Sequence, residues 1–197
     1  MRYPPDQKAR ARSALVESGA RSLKSSGFNG IGVDGLAAAA GVTSGAFYSN
    51  FSNKEAILEA VVDACVGEPF LTETGSGTPA ERRSQLESFL DEYISTQHSA
   101  DPAEGCVMPG LSADVSRAQP AVKQAYERKL AALVDRIAEM LDGDRSDRKR
   151  RAWSIVALMV GAIVISRGMP DDSASRTASL KSARNTASVL VETATTD

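Results

Sequence analysis

Between Ile31 and Glu55 the chain has to change direction twice within a few residues, and this constrains its fold more than any other stretch. Val33, Leu36, Ala37 and Ala40 recur at helical spacing and predict a short helix over 33–40. The small side chains on that face let a second helix cross closely. Gly41 supplies the left-handed backbone that a sharp turn needs. Val42 is expected to plug the gap between the helices, and Thr43 is a good N-cap for the next one. Ser52 with Glu55 three residues on reads as a capping box. The second helix is therefore short and a third begins near Asn53. Phe47 and Phe51, four residues apart, face the same way and are expected to bury against the preceding helix.

Thr43, Ser44, Gly45, Ala46, Tyr48 and Ser49 are left exposed around the start of that second helix. Free N–H groups and hydroxyls at a helix N-terminus suit phosphate oxygens. Ser, Thr and a methyl group such as that of Ala46 can touch base edges in a major groove. Gly45 allows close backbone approach, and Lys54 can pin a phosphate. Two readings stand side by side: a helix end presented to duplex DNA, or an αα-hairpin inside some other helical protein, such as a protein–protein adaptor.

The net charge of −2 argues against nucleic acid, but its distribution does not. Residues 1–54 hold seven basic and three acidic residues, a net of +4, and the remainder holds 16 basic and 22 acidic, a net of −6. Positive charge thus sits where a DNA reading needs it. Arg2, Lys8, Arg10 and Arg12 are candidates for backbone or minor-groove contact, or for a solvated terminus. Cys65 and Cys106, with no signal peptide, fit a reducing cytosol and so a cytoplasmic protein. The run Trp153–Ile165 is 13 residues, short of the about 20 that span a membrane, and reads as a buried helix. The single histidine, His98, falls at the frayed end of a helix. No metal-ligand cluster, phosphate loop or nucleophile elbow is present, so neither an enzyme nor a cofactor or metal site is expected.

Helical patterning continues to the end. A first helix is expected from about Asp6 to Lys24, ended by Gly27, and a fourth over Asn53–Val66. The Gly/Ser/Thr-rich stretch that follows to Thr78 divides the chain into 1–66 and 67–197. Thr78-Pro79-Ala80-Glu81 joins a capping box to Pro at the first helical position. A short helix or loop covers Glu104–Arg117, and a long helix runs from Pro120 until Gly143 stops it. Arg145–Arg151 is strongly basic and reads as a solvated face. Small apolar residues line one side of Ser173–Glu192. The expected fold class is all-α.

The residues Gly27-Phe28, Leu36-Ala37, Ala40-Gly41-Val42-Thr43, Gly45, Phe47-Tyr48, Phe51 and Lys54-Glu55 resemble the DNA-binding domain of the tetracycline-repressor (TetR) family. The resemblance covers the first third of the chain. It departs at Gly32, where the family has a Ser or Thr cap, and at Gly35 inside the first helix of the pair. It implies an N-terminal three-helix, helix-turn-helix domain followed by a helical ligand-binding and dimerisation domain. Thr43–Ser49 would be the recognition helix, with Tyr48 and Lys54 on phosphates. A homodimer through 153–167 and 173–192 would hold two such helices about 34–36 Å apart on a palindromic double-stranded operator. A small-molecule inducer, of unknown identity, would release this repressor by binding within the second domain, for which Phe89, Tyr93, Met108, Tyr126, Trp153 and Met159 are candidate lining residues. Cys106, in a Gly/Pro-flanked segment, is either a small buried hydrophobe or an accessible thiol. The Gly-Cys step is similar to a branch of the family that senses electrophiles or oxidants.

Overall fold

A computed structural model describes residues 5–192, and Arg2 lies outside them. The described residues form helices and contain no strand. In order these are α1 (Pro5–Gly30), α2 (Val33–Ala39), α3 (Ser44–Asn50), α4 (Lys54–Cys65), α5 (Phe70–Glu73) and α6 (Pro79–Tyr93). They continue as α7 (Thr96–Ala100), α8 (Val107–Arg117), α9 (Pro120–Glu139), α10 (Arg145–Arg167) and α11 (Ala174–Glu192). The all-α expectation is met. Packing divides the chain into two compact units, residues 1–66 with 102–129, and residues 67–101 with 130–197. The stretch 102–129, which sequence patterning grouped with the second domain, packs with the first unit.

In the first unit Leu15, Leu23, Leu36, Phe47, Ile57, Leu58 and Val61 are wholly shut from water. Burying each of these large side chains stabilises the unit by roughly 1.5–3 kcal/mol. The expected end of the first helix at Gly27 is met: Gly27 has φ 70° and breaks the helix, and a separate helical turn follows it as far as Gly30. The break frees the amide of Phe28, which donates to Asp114 Oδ2 of α8 at 2.9 Å instead of to its own helix. Lys54 Nζ donates to the carbonyl of Phe28 and lies 4.3 Å from the centre of its ring. Groups from α4 and α8 thus meet both backbone partners of one residue.

The α2–α3 corner forms as its sequence dictates. Gly41, at φ 67°, follows α2. Its amide donates to the Ala38 carbonyl, and the Val42 amide reaches back to Ala37, both at 3.0 Å. These two bonds are the paired closure of a Schellman end. Alanine at position 41 would meet no neighbour within 4 Å, but it would have to adopt the left-handed backbone. Gly41→Ala is therefore expected to cost about 1–2 kcal/mol in chemical denaturation. A loss near zero would mean that the corner relaxes freely. Gly35 has a packing reason: a Cβ there would lie 2.8 Å from Ile31 Cγ1. Gly32 sits at the N-cap of α2 and makes no side-chain cap, as its identity requires. The cap of α4 is Asn53, whose Oδ1 accepts from Ala56 N at 2.9 Å, and not the expected Ser52. An Asx cap needs only the residue directly before the helix, and Asn53 occupies that place.

In the second unit the predicted capping box is present. Thr78 Oγ1 accepts from Glu81 N at 3.3 Å, and the Thr78 amide donates to Glu81 Oε2 at 2.7 Å. The Thr78 amide, and with it the Thr78 hydroxyl, which also donates to Glu81 Oε2 at 2.9 Å, hold the Glu81 carboxyl below its ordinary pKa. Leu86, Leu90, Ile137, Ile155, Met159 and Ile163 form the core with Leu180, Ala187 and Val191 of α11. The basic stretch 145–151 is not wholly a solvated face. Arg151 is buried and donates through Nε to Asp147 Oδ2 at 2.7 Å. Nor is α10 buried all round: Trp153, Val164 and Ile165 are exposed. No helix among the described residues is long and apolar enough to cross a membrane.

Candidate nucleic-acid interface

Two adjacent aromatic residues set the polarity of α3. Phe47 is 0% exposed and Tyr48 is 59% exposed, with their rings edge-on at 5.5 Å. Phe47 turns inward, beside Phe51 at 5.8 Å, and anchors the helix, so Tyr48 is held outward on a fixed base. Thr43 caps the helix, accepting from Ala46 N at 3.1 Å through Oγ1. Gly45 and Ser49 share the exposed side, and Ala46 and Ser44 are half-buried. Ser49 Oγ donates to the Ala46 carbonyl at 2.8 Å and accepts from Asn50 Nδ2 at 3.3 Å, which leaves it one lone pair for a further donor.

Three groups that hold this helix were not singled out by sequence patterning, or were assigned differently. Asp34, in the first turn of α2, accepts from Ser44 Oγ at 2.6 Å. The Ser44 hydroxyl proton is thereby committed, so this side chain can accept a further hydrogen bond but not donate one. Arg12, expected to reach the DNA backbone or stay solvated, donates to the Asn50 carbonyl at 3.1 Å and stacks 4.4 Å over the Phe51 ring. A cation at the carbonyl end of α3 complements its dipole. Lys54 is partly engaged with Phe28 and keeps donors to spare, since an ammonium carries three. The acidic first turn of α2 was a legible helix signal, but its partner across the corner was not.

The remaining candidate residues lie in both units. Met108 is buried in the first, and Tyr126 there shares a 2.7 Å hydrogen bond with Ser112 Oγ. Burial raises the Tyr126 pKa above its ordinary value. In the second unit Phe89 and Tyr93 belong to an aromatic ladder with Phe70 and His98, at centroid spacings of 4.2, 5.6 and 4.3 Å. Met159 is buried and Trp153 is 47% exposed. Cys106 is half-buried and acts as the N-cap of α8, its Sγ accepting from Met108 N at 3.4 Å. Beside it, Lys24 Nζ donates to the Gly105 carbonyl at 2.7 Å, and burial lowers the Lys24 pKa against the opposing pull of Cys65, Glu104 and Cys106.

A glycine-turned helix pair that buries one aromatic and offers its neighbour to solvent at a capped helix start has the form of a helix-turn-helix, the arrangement with which many proteins enter a DNA major groove. Residues 15–61 match the family described as bacterial regulatory proteins, tetR family. The whole chain has the fold of that family's solved members. A TetR-family transcriptional regulator from Cytophaga hutchinsonii aligns with TM-score 0.75 and 22% identity, over 97% of this chain and 100% of that one. E. coli NemR in its reduced form aligns with TM-score 0.73 and 19% identity, over 94% and 99%. FadR from Bacillus subtilis in complex with stearoyl-CoA aligns with TM-score 0.64 and 15% identity, over 91% and 97%. No curated protein matches the sequence significantly. Residues 15–61 thus form a tetR-family domain by their family model, and the chain as a whole shares the fold of solved TetR-family regulators.

Proposed function

We propose that the chain is a cytoplasmic, homodimeric repressor that reads a two-fold DNA operator through Thr43, Ser44, Gly45, Ala46, Tyr48 and Ser49, and dissociates when a small molecule binds. The observation that carries the DNA reading is the outward Tyr48 on a helix anchored by Phe47 and Phe51. Tyr48 and Lys54 take phosphates, the lysine with the donors that Phe28 leaves unused. Thr43, Ala46 and Ser49 face base edges, and Ser44 takes only donors there, because Asp34 holds its proton. The N-terminal excess of positive charge supports association with a polyanion. Two copies pair through 153–167 and 173–192, supported by the exposed apolar residues of α10 and α11. FadR, which shares the fold, is seen with stearoyl-CoA, and this supports a small-molecule input. The candidate contacts for it are Phe89, Tyr93, Trp153 and Met159 in the second unit, or Met108 and Tyr126 in the first.

Selection of bound DNA from a random pool tests the reading, and the expected product is a two-fold symmetric site. On that site Lys54→Ala and Tyr48→Phe are each expected to weaken binding about tenfold at moderate salt and to reduce the salt slope by about one for the lysine. Unchanged affinity and slope in both variants would favour a helical adaptor that does not bind DNA.

A further inference from the structure

The second unit holds two adjoining cavities, of about 240 and 280 Å³, away from the aromatic ladder of Phe89 and Tyr93. Arg82, Glu139 and Arg148 line both. Pro79 at the start of α6 and the 139–143 segment between α9 and α10 complete the wall of the first. We propose that this cleft binds a small oxyanion, a phosphate or carboxylate group, on the guanidinium forks of Arg82 and Arg148.

The charge inventory points this way. The acidic groups at the cleft already have arginine partners: Asp142 pairs with Arg83, and Glu139 Oε2 lies 3.6 Å from Arg136 Nη1. Arg82 donates through Nη1 to a neutral carbonyl, that of Gly77, at 2.8 Å. The Nε atoms of Arg82 and Arg148 are closed off from solvent and have no acceptor among the described residues. Neither guanidinium is paired with a carboxylate among the described residues, and an oxyanion in the cleft would meet their Nη groups, since Nε is closed off. Planar forks recognise carboxylate and phosphate oxygens two at a time. The Thr78–Glu81 capping box closes the start of α6 and the Asp144 carboxylate caps α10, so neither helix start adds a free positive end, and the two guanidiniums decide the sign against the end of α9. Each cavity is smaller than the roughly 300–1,000 Å³ of a drug-sized site, and the side chains of Met140 and Leu141 are buried in the core. The occupant is therefore small and polar. Glu139 is placed to accept from a hydroxyl or ammonium group on the same molecule.

The test uses the full chain without DNA, so its outcome is independent of the regulator reading. Sodium phosphate and sodium succinate are titrated against sodium chloride at equal ionic strength. Two quantities are followed: the Tm, and the rate at which phenylglyoxal modifies each arginine, mapped by peptide mass spectrometry. One of the two anions is expected to raise Tm and slow modification of Arg82 and Arg148 while leaving exposed Arg128 unaffected, and the stronger of the two names the oxyanion. R82Q and R148Q are each expected to raise the half-saturating concentration about tenfold or more, the loss of a charge-assisted hydrogen bond. The proposal is overturned if neither anion differs from chloride in both readouts, or if the glutamine variants keep the half-saturation of the unmodified chain. Should those variants not fold, the protection pattern on the unmodified chain decides by itself.

Discussion

Ile165→Lys is expected to leave the chain folded, to make it monomeric, and to weaken binding to a two-fold operator by about 100-fold or more, the loss of linked half-site binding. Ile165 is 56% exposed, alongside Val164 at 48%, Trp153 at 47% and Val189 of α11 at 56%. Trp153, Ala157, Gly161, Val164 and Ile165 recur at helical spacing, so they share one side of α10. A Cβ on Gly161 would meet nothing within 4 Å, as expected on a side where the chain's own atoms are absent. Large apolar side chains gathered on one exposed side mark an association surface. A lysine in the last turn of α10 is compatible with that helix end, so the folded monomer tolerates it, while across a two-fold axis it sets like charges together. Sedimentation velocity and gel-shift titration measure the two consequences. A dimer with undiminished operator affinity would place the subunit contact elsewhere.

Asp147→Ala is expected to cost about 3–5 kcal/mol of stability, because it strands a buried guanidinium. Arg151 is 2% exposed and Asp147 5%. Asp147 accepts from Arg151 Nε at 2.7 Å and from Arg150 Nη2 at 2.6 Å. Arg151 also donates to the Leu190 carbonyl at 2.8 Å and to the Asp142 carbonyl. It thus ties the first turns of α10 to the preceding turn and to the end of α11. An apolar replacement of the pair is not the neutral exchange sometimes seen for buried ion pairs, since it would leave two backbone carbonyls without their donor. The expected fall in Tm is roughly 10 °C for a chain of this size. A loss below about 1 kcal/mol would mean that Arg151 turns out to water when its partner is removed.

The parts of the fold that were legible in the sequence are those set by contacts within a few residues. The Gly41 turn, the Thr43 cap, the Thr78–Glu81 capping box and the inward pair Phe47/Phe51 all follow from local backbone chemistry or helical spacing. One local reading failed by one residue, at Asn53, because Ser52 and Asn53 are both competent caps and only the start of α4 chooses between them. The misread features were non-local. The Phe28 amide finds Asp114 86 positions away, and Arg151 finds the Leu190 carbonyl 39 positions away. A run of basic residues looks solvated until backbone carbonyls from outside it are brought against one of its members.

The candidate interface divides in the same way. Its outward residues were legible because a capped helix with two buried phenylalanines leaves only one side to present. That Ser44 lends its proton to Asp34, that Arg12 closes the far end of α3, and that Lys54 is shared with Phe28 were not legible, since each pairs groups from different helices. By itself the sequence determined an all-helical chain with a glycine-turned helix pair and the identity of the side chains around its exposed tip. Only the tertiary structure decided which polar groups there are already committed, and which side of α10 is left uncovered. Helical periodicity reports that a side chain is apolar, and only packing reports whether this chain supplies what covers it.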